Sequence, residues 1–387
     1  MDEEKKGMDF FVVECDGVND FYKDTLSSII ERGYEISPRG LPTKEVRPAM
    51  IILKEPRERF LTCPGRYIHP YFQVLESVWI MGGRGDLEFI EYYLGNMKKY
   101  ADGREEFHAP YGVRMREWNS HRSINAGHYF VDQFDSCYHS LKKDIYTRQA
   151  VMTYWNPTFD NHHTETNDRP CNIAMQFLFR NGKLDFTIFN RSNDLNYGIA
   201  NTNIVQFSVM LEIMAMLLDV PMGNQIHMIN SLHVYDFQGE ITKRVLEAEY
   251  SCNVYKWVKP KPFEMYSKSD VTMERLNRDL DTFFKMESKI RNGENDNLTG
   301  DISLNYIHDA FILALSFNHY KHERFYEAAE QLLSLSADDL FISCLEFVAR
   351  KAVPETIDKI LLERIKRKPS FLTMKDYEAT SRYMREH

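Results

Sequence analysis

Cys171 has the strongest case in this chain for covalent chemistry. A free cysteine is usually a small buried hydrophobe, yet this one follows Pro170 at the entry to a strand-like run, where a side chain can face a cleft. Arginines lie near it in sequence and, across a predicted hairpin, at Arg191. A cation beside a thiol stabilises the thiolate, which is the attacking form. Glu76 is the second candidate. It stands inside the otherwise apolar run Phe72–Met81, where a carboxylate is costly unless it is hydrogen-bonded or does chemistry. Other patterns carry less. His162-His163-Thr164-Glu165 sits in a polar stretch without a second ligand pair, so no metal site is expected there. Gly82-Gly83-Arg84-Gly85-Asp86 lacks both the phosphate-loop lysine and the GxGxxG order, and is expected to end the helix that carries Glu76. The basic, aromatic stretch Lys256–Pro262 reads as a strand leaving the catalytic region.

These groups need a frame to hold them. Residues 1–265 read as the catalytic domain, with strand-like apolar runs at Ala49–Leu53, Ala150–Tyr154, Ile173–Phe179 and Leu184–Phe189. Arg180-Asn181-Gly182-Lys183 joins the last two, and Asn-Gly is a strong hairpin signal. Helical periods fall at Phe72–Met81, Leu87–Tyr100 and Ile204–Leu218. Strands and helices mixed in this order imply an α+β fold rather than a doubly wound parallel sheet. Residues 266–387 change character. After the turn-rich linker Asn292–Asp301 come amphipathic helical stretches at Ile302–Phe317, His322–Leu335, Ala337–Ala352 and Pro354–Arg367, an all-α extension with no chemical motif.

Composition narrows the class. With 387 residues, 43% of them hydrophobic, the chain can bury a sizeable core. A net charge of −9 argues against a polynucleotide grip, which rests on clustered Lys and Arg, but leaves room for one small anion held by converging arginines. The longest apolar stretch, Phe207–Val220, carries Glu212 and falls short of the roughly 20 residues that a membrane span needs. Six scattered cysteines without a CxxC pair argue against a disulfide scaffold or zinc ribbon, and imply a reducing, cytoplasmic setting.

Eight motifs then recur in one order. They are SPRG at 37–40, Glu76 in VLESVW, APYGVR at 109–114, the TR and WNP of TRQAVMTYWNP, PC at 170–171, RSND at 191–194, NIVQFS at 203–208 and LHVY at 232–235. On these the chain resembles the thymidylate synthase family, including its nucleotide hydroxymethylase branch, over roughly residues 25–240. The resemblance implies a mixed sheet with packed helices and the cofactor 5,10-methylenetetrahydrofolate. It also implies chemistry at position 5 of a pyrimidine nucleotide. Cys171 would add to C6 of the ring, placing electron density on C5. The charge developing on O4 needs a positioned donor, and the family uses an asparagine amide that also accepts from N3–H. Counting from Gly198 puts that position on Thr202, whereas the register of NIVQFS puts it on Asn203, with one extra residue before it. Asn203 keeps the register of the following helix and is expected to fill the role; the alternative is that it merely caps that helix. An amide suits uracil, so dUMP is favoured over a cytosine nucleotide.

By the same resemblance, Arg39, Arg191, Ser192 and Arg148 bind the phosphate. Arg148 would reach across from a partner subunit, which implies a homodimer; Gln149 stands where the family has a second arginine. His233 and Tyr235 would bind the sugar 3′-hydroxyl. Glu76 would organise water and shuttle protons, and Tyr111 would help remove the C5 proton. Asp194 and Gly198 are placed with the cofactor. Met97 occupies the place of a tryptophan that packs beside folate in methylating members. Asn172 follows Cys171 where methylating members carry histidine, and the apolar C-terminal tail that closes those enzymes is not evident. Since water or hydride at the C5 carbon decides the product, these departures favour 5-hydroxymethyl-dUMP over thymidylate. Enzymes of this type are expected in viruses with modified DNA, which would then place the chain in a host cytoplasm.

Overall fold

The computed structural model describes residues 10–118, 130–162, 165–248, 252–294, 298, 300–368, 376, 380, 381, 383 and 384. They form two compact units. The first takes in the strand Phe11–Cys15, Asp24–Pro56 and Glu76–Gln238; the second takes in Val18–Lys23, Arg57–Leu75 and the chain from Gly239 onward.

Among the described residues the first unit holds ten strands: β1 (Phe11–Cys15), β2 (Tyr34–Ile36), β3 (Thr43–Val46), β4 (Ala49–Leu53), β5 (Val151–Thr153), β6 (Asn172–Arg180), β7 (Lys183–Asn190), β8 (Asn193–Asp194), β9 (Met222–Ile229) and β10 (Leu232–Tyr235). Six of them form a mixed sheet in the order β1-β4-β9-β7-β6-β5, and four form a second sheet in the order β2-β3-β10-β8. The expected hairpin is present. Asn181 and Gly182 both take positive φ, 51° and 77°, the handedness that a two-residue turn between twisted strands requires. Alternate residues of β7 face inward, and Phe177 stacks on Phe186 at 4.0 Å with Phe207 edge-on at 6.1 Å.

Phe207 belongs to the helix Ile204–Leu218, which is buried almost throughout, as expected of a helix apolar on every side. With the turns before it, Leu195–Leu218 is long and apolar enough to span a membrane, but 78% of its apolar 18-residue window is buried inside the protein, which marks a core helix. The preceding segment, Leu195–Asn203, winds as a π-helix, and the amide of Ile204 bonds the carbonyl of Ile199, five residues back. Such a winding absorbs one extra residue without shifting the helix that follows.

Two expectations need correction. The helical period at Leu87–Tyr100 breaks at Leu94, whose backbone is extended (φ −146°); Gly95 follows, and the rest continues as a 3₁₀ helix. Lys256–Pro262 is not a strand: a 3₁₀ turn at Val254–Lys256 is followed by irregular chain, since Pro260 and Pro262 cannot donate to a ladder. Gly83, with φ 71°, follows the helix Pro70–Met81 as anticipated, and Asp86 caps the helix Leu87–Tyr93.

In the second unit the helices Met273–Arg291, Asn305–Lys321, Phe325–Gln331, Asp338–Ala349 and Pro354–Arg367 pack with the earlier segments. Tyr71 is fully buried there, its hydroxyl 2.7 Å from Ser316 Oγ and its ring against Phe317 and Phe347.

Candidate active site

All the nominated side chains lie in the first unit. The β6–β7 hairpin sets the centre. Its paired strands end at Asn172 and Asn190, and the amide of Arg191 donates to the carbonyl of Cys171 at 2.9 Å, so the two residues face each other across the open end. Cys171 Sγ is half-buried, 3.8 Å from Arg191 Nη2 and 3.7 Å from Ser192 Oγ. Carbonyl oxygens hold the guanidinium in place. Arg191 Nε donates to Pro170 at 2.8 Å and Nη2 to Arg169 at 3.3 Å, while the ring of Trp155 lies 5.8 Å away.

On the other side, the amide of Cys171 donates to Tyr111 Oη at 3.1 Å, and the Tyr111 ring stacks on Tyr154 at 4.5 Å. Burial, with the Cys171 sulfur adding to it, lifts the Tyr111 phenol well above its ordinary value. Just ahead, Asp168 accepts from the amide of Ala109 at 2.7 Å, and burial raises its carboxyl to about 6.

A second cluster forms around the π-helix. The carboxyl of Glu76 is buried, which pushes it up to about 8, with Thr202 pulling the other way, and Oε2 has no hydrogen-bond partner among the described residues. Asn203 makes no capping bond. Its Nδ2 donates to Asn193 Oδ1 at 3.2 Å and its Oδ1 accepts from Gln206 Nε2 at 2.6 Å. Gly198 lies so close that a Cβ there would meet Asn193 Oδ1 at 2.1 Å. Asp194 opens the π-helix: Oδ1 accepts from the amides of Asn196 and Tyr197, and Oδ2 from Gln238 at 2.6 Å. Burial raises its carboxyl, against the pull of His233.

The third cluster is joined to the second by strand pairing, since His233 of β10 stands opposite Asp194 of β8. The His233 and Tyr235 rings meet edge-on at 5.0 Å, and Arg39 Nη2 donates to Tyr235 Oη at 3.4 Å. Arg39 is exposed, in a left-handed conformation (φ 57°) within the turn Pro38–Gly40. Burial raises the Tyr235 phenol while Arg39 lowers it.

The run Arg191–Asp194 thus ties the three groups together. Arg148 and Met97 stand apart: among the described residues no hydrogen bond or ion pair joins either side chain to the others, and Arg148 is exposed. No metal-holding cluster occurs among the described residues; of the His162–Glu165 motif, His163 and Thr164 lie outside them.

Several residues of the site were not nominated from sequence. Asn193 and Gln206 hold Asn203, and fully buried Asn172 accepts from Asn190 at 2.6 Å. Gln206 sits one helical turn after Asn203, a spacing that could have revealed it. Asn193 lies between two nominated residues and carries no signal of its own.

The thymidylate synthase family model matches residues 20–287. The deoxyuridylate hydroxymethyltransferase of Bacillus phage SP01 is 39% identical over 311 residues, 78% of each chain. That of Pseudomonas phage M6 is 32% identical over 190 residues, 49% of this chain and about half (51%) of the relative. A putative thymidylate synthase of Methanothermobacter marburgensis is 28% identical over 242 residues, 61% of this chain and 98% of the relative.

Proposed function

This chain belongs to the thymidylate synthase family, and from that premise we propose that it transfers a one-carbon unit to C5 of dUMP, giving 5-hydroxymethyl-dUMP. The observation that carries the choice of product is the 39% identity to a phage deoxyuridylate hydroxymethyltransferase across 78% of both chains.

In this reading Cys171 attacks C6 of uracil, with Arg191 and Ser192 facing its sulfur. The ring electrons move to C5, and negative charge develops at O4. Asn203 reads the base. Gln206 and Asn193 each use one valence of its amide, leaving the second N–H for O4 and a second lone pair for N3–H. Glu76, protonated below about pH 8, turns Oε2 toward the same carbonyl as a proton donor. Tyr111 helps remove the C5 proton as a relay, its oxygen taking that proton as its own hydrogen passes to a neighbouring acceptor. Arg39, Arg191 and Ser192 bind the phosphate, with Arg148 from a partner subunit, while His233 and Tyr235 take the 3′-hydroxyl.

When bound, 5,10-methylenetetrahydrofolate supplies the carbon at the oxidation level of formaldehyde. Asp194 is suited to hold its pterin ring: a carboxylate offers about four lone-pair sites, and the bonds from Asn196, Tyr197 and Gln238 leave room on Oδ2 for one N–H donor. Met97, in place of a large flat ring, leaves water access to the reacting carbon.

Incubating the protein with dUMP and methylenetetrahydrofolate tests the reading. Mass spectrometry is expected to find 5-hydroxymethyl-dUMP, with no rise in dihydrofolate absorbance. Thymidylate as the sole product, with dihydrofolate formed in equal amount, overturns it in favour of reductive methylation.

A further inference from the structure

The helix Met273–Arg291 of the second unit carries a basic stripe that the proposed reaction does not use. Arg278, Lys285 and Lys289 recur at helical spacing, so their side chains share one face. All three are exposed, and among the described residues no hydrogen bond or ion pair engages their side chains. Asp281, one turn before Lys285, makes no ion pair with it. Arg275 extends the stripe and is firmly held. Its Nε donates to fully buried Asp279 at 2.8 Å and its Nη2 to the carbonyl of Asp301 at 3.0 Å, while Nη1 has no partner among the described residues. Together with Gly300 and Asp301 these side chains line a cavity of about 480 Å³. Gly300 lets the returning chain close in on the helix, since a Cβ there would meet Met286 Sδ and Thr282 Cγ2, both at 2.5 Å.

We propose that this cavity binds an oligophosphate, either free or carried by a nucleotide. Its volume falls within the range of small-molecule pockets, roughly 300–1,000 Å³. Four cations line it against one carboxylate, Asp301, which is itself paired with Arg275 at 2.9 Å. A chain of net charge −9 repels anions at large, so unpaired cations gathered in one hollow form a local exception. Ligand pockets are mostly apolar, whereas Met286 is the one large apolar side chain in this lining among the described residues. The bound part of the ligand is therefore charged along its length. Thr282 gives its hydroxyl hydrogen to the carbonyl of Arg278 at 2.8 Å, which leaves the cations as the donors. Arg278 offers a fork that grips phosphate oxygens in pairs, and the lysines act as point charges. Arg278 and Lys285 stand two helical turns apart, roughly 10 Å along the axis. A row of linked phosphates matches that spacing better than a single one, and concentrates more charge in the volume than a row of carboxylates.

Isothermal titration calorimetry of the full chain with sodium tripolyphosphate and with ATP tests this. Both probes are expected to bind, and more weakly as ionic strength rises. Equal affinity means that the phosphates alone are read, and tighter binding of ATP makes a nucleotide the source. The double variant Arg278→Gln/Lys285→Gln changes two exposed side chains, so it is expected to melt with the parent. Its affinity for both probes is expected to fall by roughly tenfold or more, the effect of losing hydrogen bonds to a charged group. Arg39→Ala is the comparison, because the candidate active site is also proposed to take a phosphate. Binding lost in Arg39→Ala but kept in the double variant puts the anion in the first unit and overturns the proposal. Absence of binding by either probe overturns it too, as does pentaglutamate binding as tightly as tripolyphosphate. A short oligothymidylate that outbinds both probes gives the stripe to nucleic-acid strands instead, against the proposal. None of these readings needs turnover, so they stand apart from the reaction proposed above.

Discussion

The backbone amide of Cys171 and the phenol of Tyr111 are joined at 3.1 Å, so the nucleophile is held by the ring proposed to take the C5 proton. The Tyr111 ring is itself stacked on buried Tyr154. A shift of either residue is therefore felt by the other. Because burial lifts the Tyr111 phenol well above its ordinary value, it stays neutral across the physiological range, and its hydrogen remains available to donate onward while its oxygen accepts from Cys171.

Tyr111→Phe removes that acceptor and leaves the Cys171 amide without its bond. Stability is expected to fall by about 1–2 kcal/mol, and the rate of 5-fluoro-dUMP capture by roughly tenfold or more. Chemical denaturation and stopped-flow mass spectrometry check the two parts separately.

Cys171→Ala is expected to abolish both capture and turnover, to at least 10⁴ below the parent, while Cys252→Ala leaves capture intact. Cys252 is buried and its thiol is raised to about 12, which makes it an inert comparison. A covalent adduct surviving in Cys171→Ala would remove the nucleophile from the scheme.

Glu76 gives a pH signature. Burial raises its carboxyl from 4.5 in a free chain to about 8, so between those values the folded protein holds a proton that the unfolded chain has lost. Stability therefore declines as pH rises through this window. Glu76→Gln cannot ionise, so it is expected to match the parent near pH 4.5 and to be more stable than the parent at pH 8, by a few kcal/mol at most. Melting curves at the two pH values measure the difference, and a constant offset between them contradicts the assignment.

Gly198→Ala places a methyl group at 2.1 Å from Asn193 Oδ1. Asn193 has to move, taking with it the bond to Asn203. The expected result is a loss of about 1–3 kcal/mol in stability, a raised KM for dUMP and weaker discrimination against dCMP. An unchanged KM would detach Asn203 from base reading.

Asp160 is fully buried and grips Arg114 with both oxygens, at 2.6 and 2.8 Å; Arg114 also donates to the carbonyl of Tyr154. Asp160→Ala leaves a buried guanidinium uncompensated, at a cost of about 3–5 kcal/mol. Since Tyr154 carries the Tyr111 ring, activity is expected to fall at temperatures well below the loss of secondary structure. Circular dichroism and activity melts taken side by side show whether the two transitions separate.

Much of this was legible in the sequence where the controlling signal is local. Asn181-Gly182 declares its hairpin, and the hairpin alone sets Cys171 against Arg191. The apolar run at 204–218 declares a core helix, and the order of motifs marks the family. What escaped depends on how the chain absorbs an irregularity. Nothing in LNYGIANTN announces a π-helix, so the grip of Asn193 on Asn203 across it could not be read from spacing. The break at Leu94 was likewise hidden, because the period of apolar residues continues across it. Pairings such as Tyr71 with Ser316 join positions 245 apart, far beyond the reach of any local pattern.

The second unit gathers Val18–Lys23 and Arg57–Leu75 with the chain beyond Gly239. Synthesis runs from the N-terminus, so Tyr71 emerges from the ribosome well before Phe317 and Phe347, the rings that shield it. Its apolar face therefore stays uncovered until the chain around Phe317 and Phe347 has been made, so this unit can complete its packing only late in synthesis.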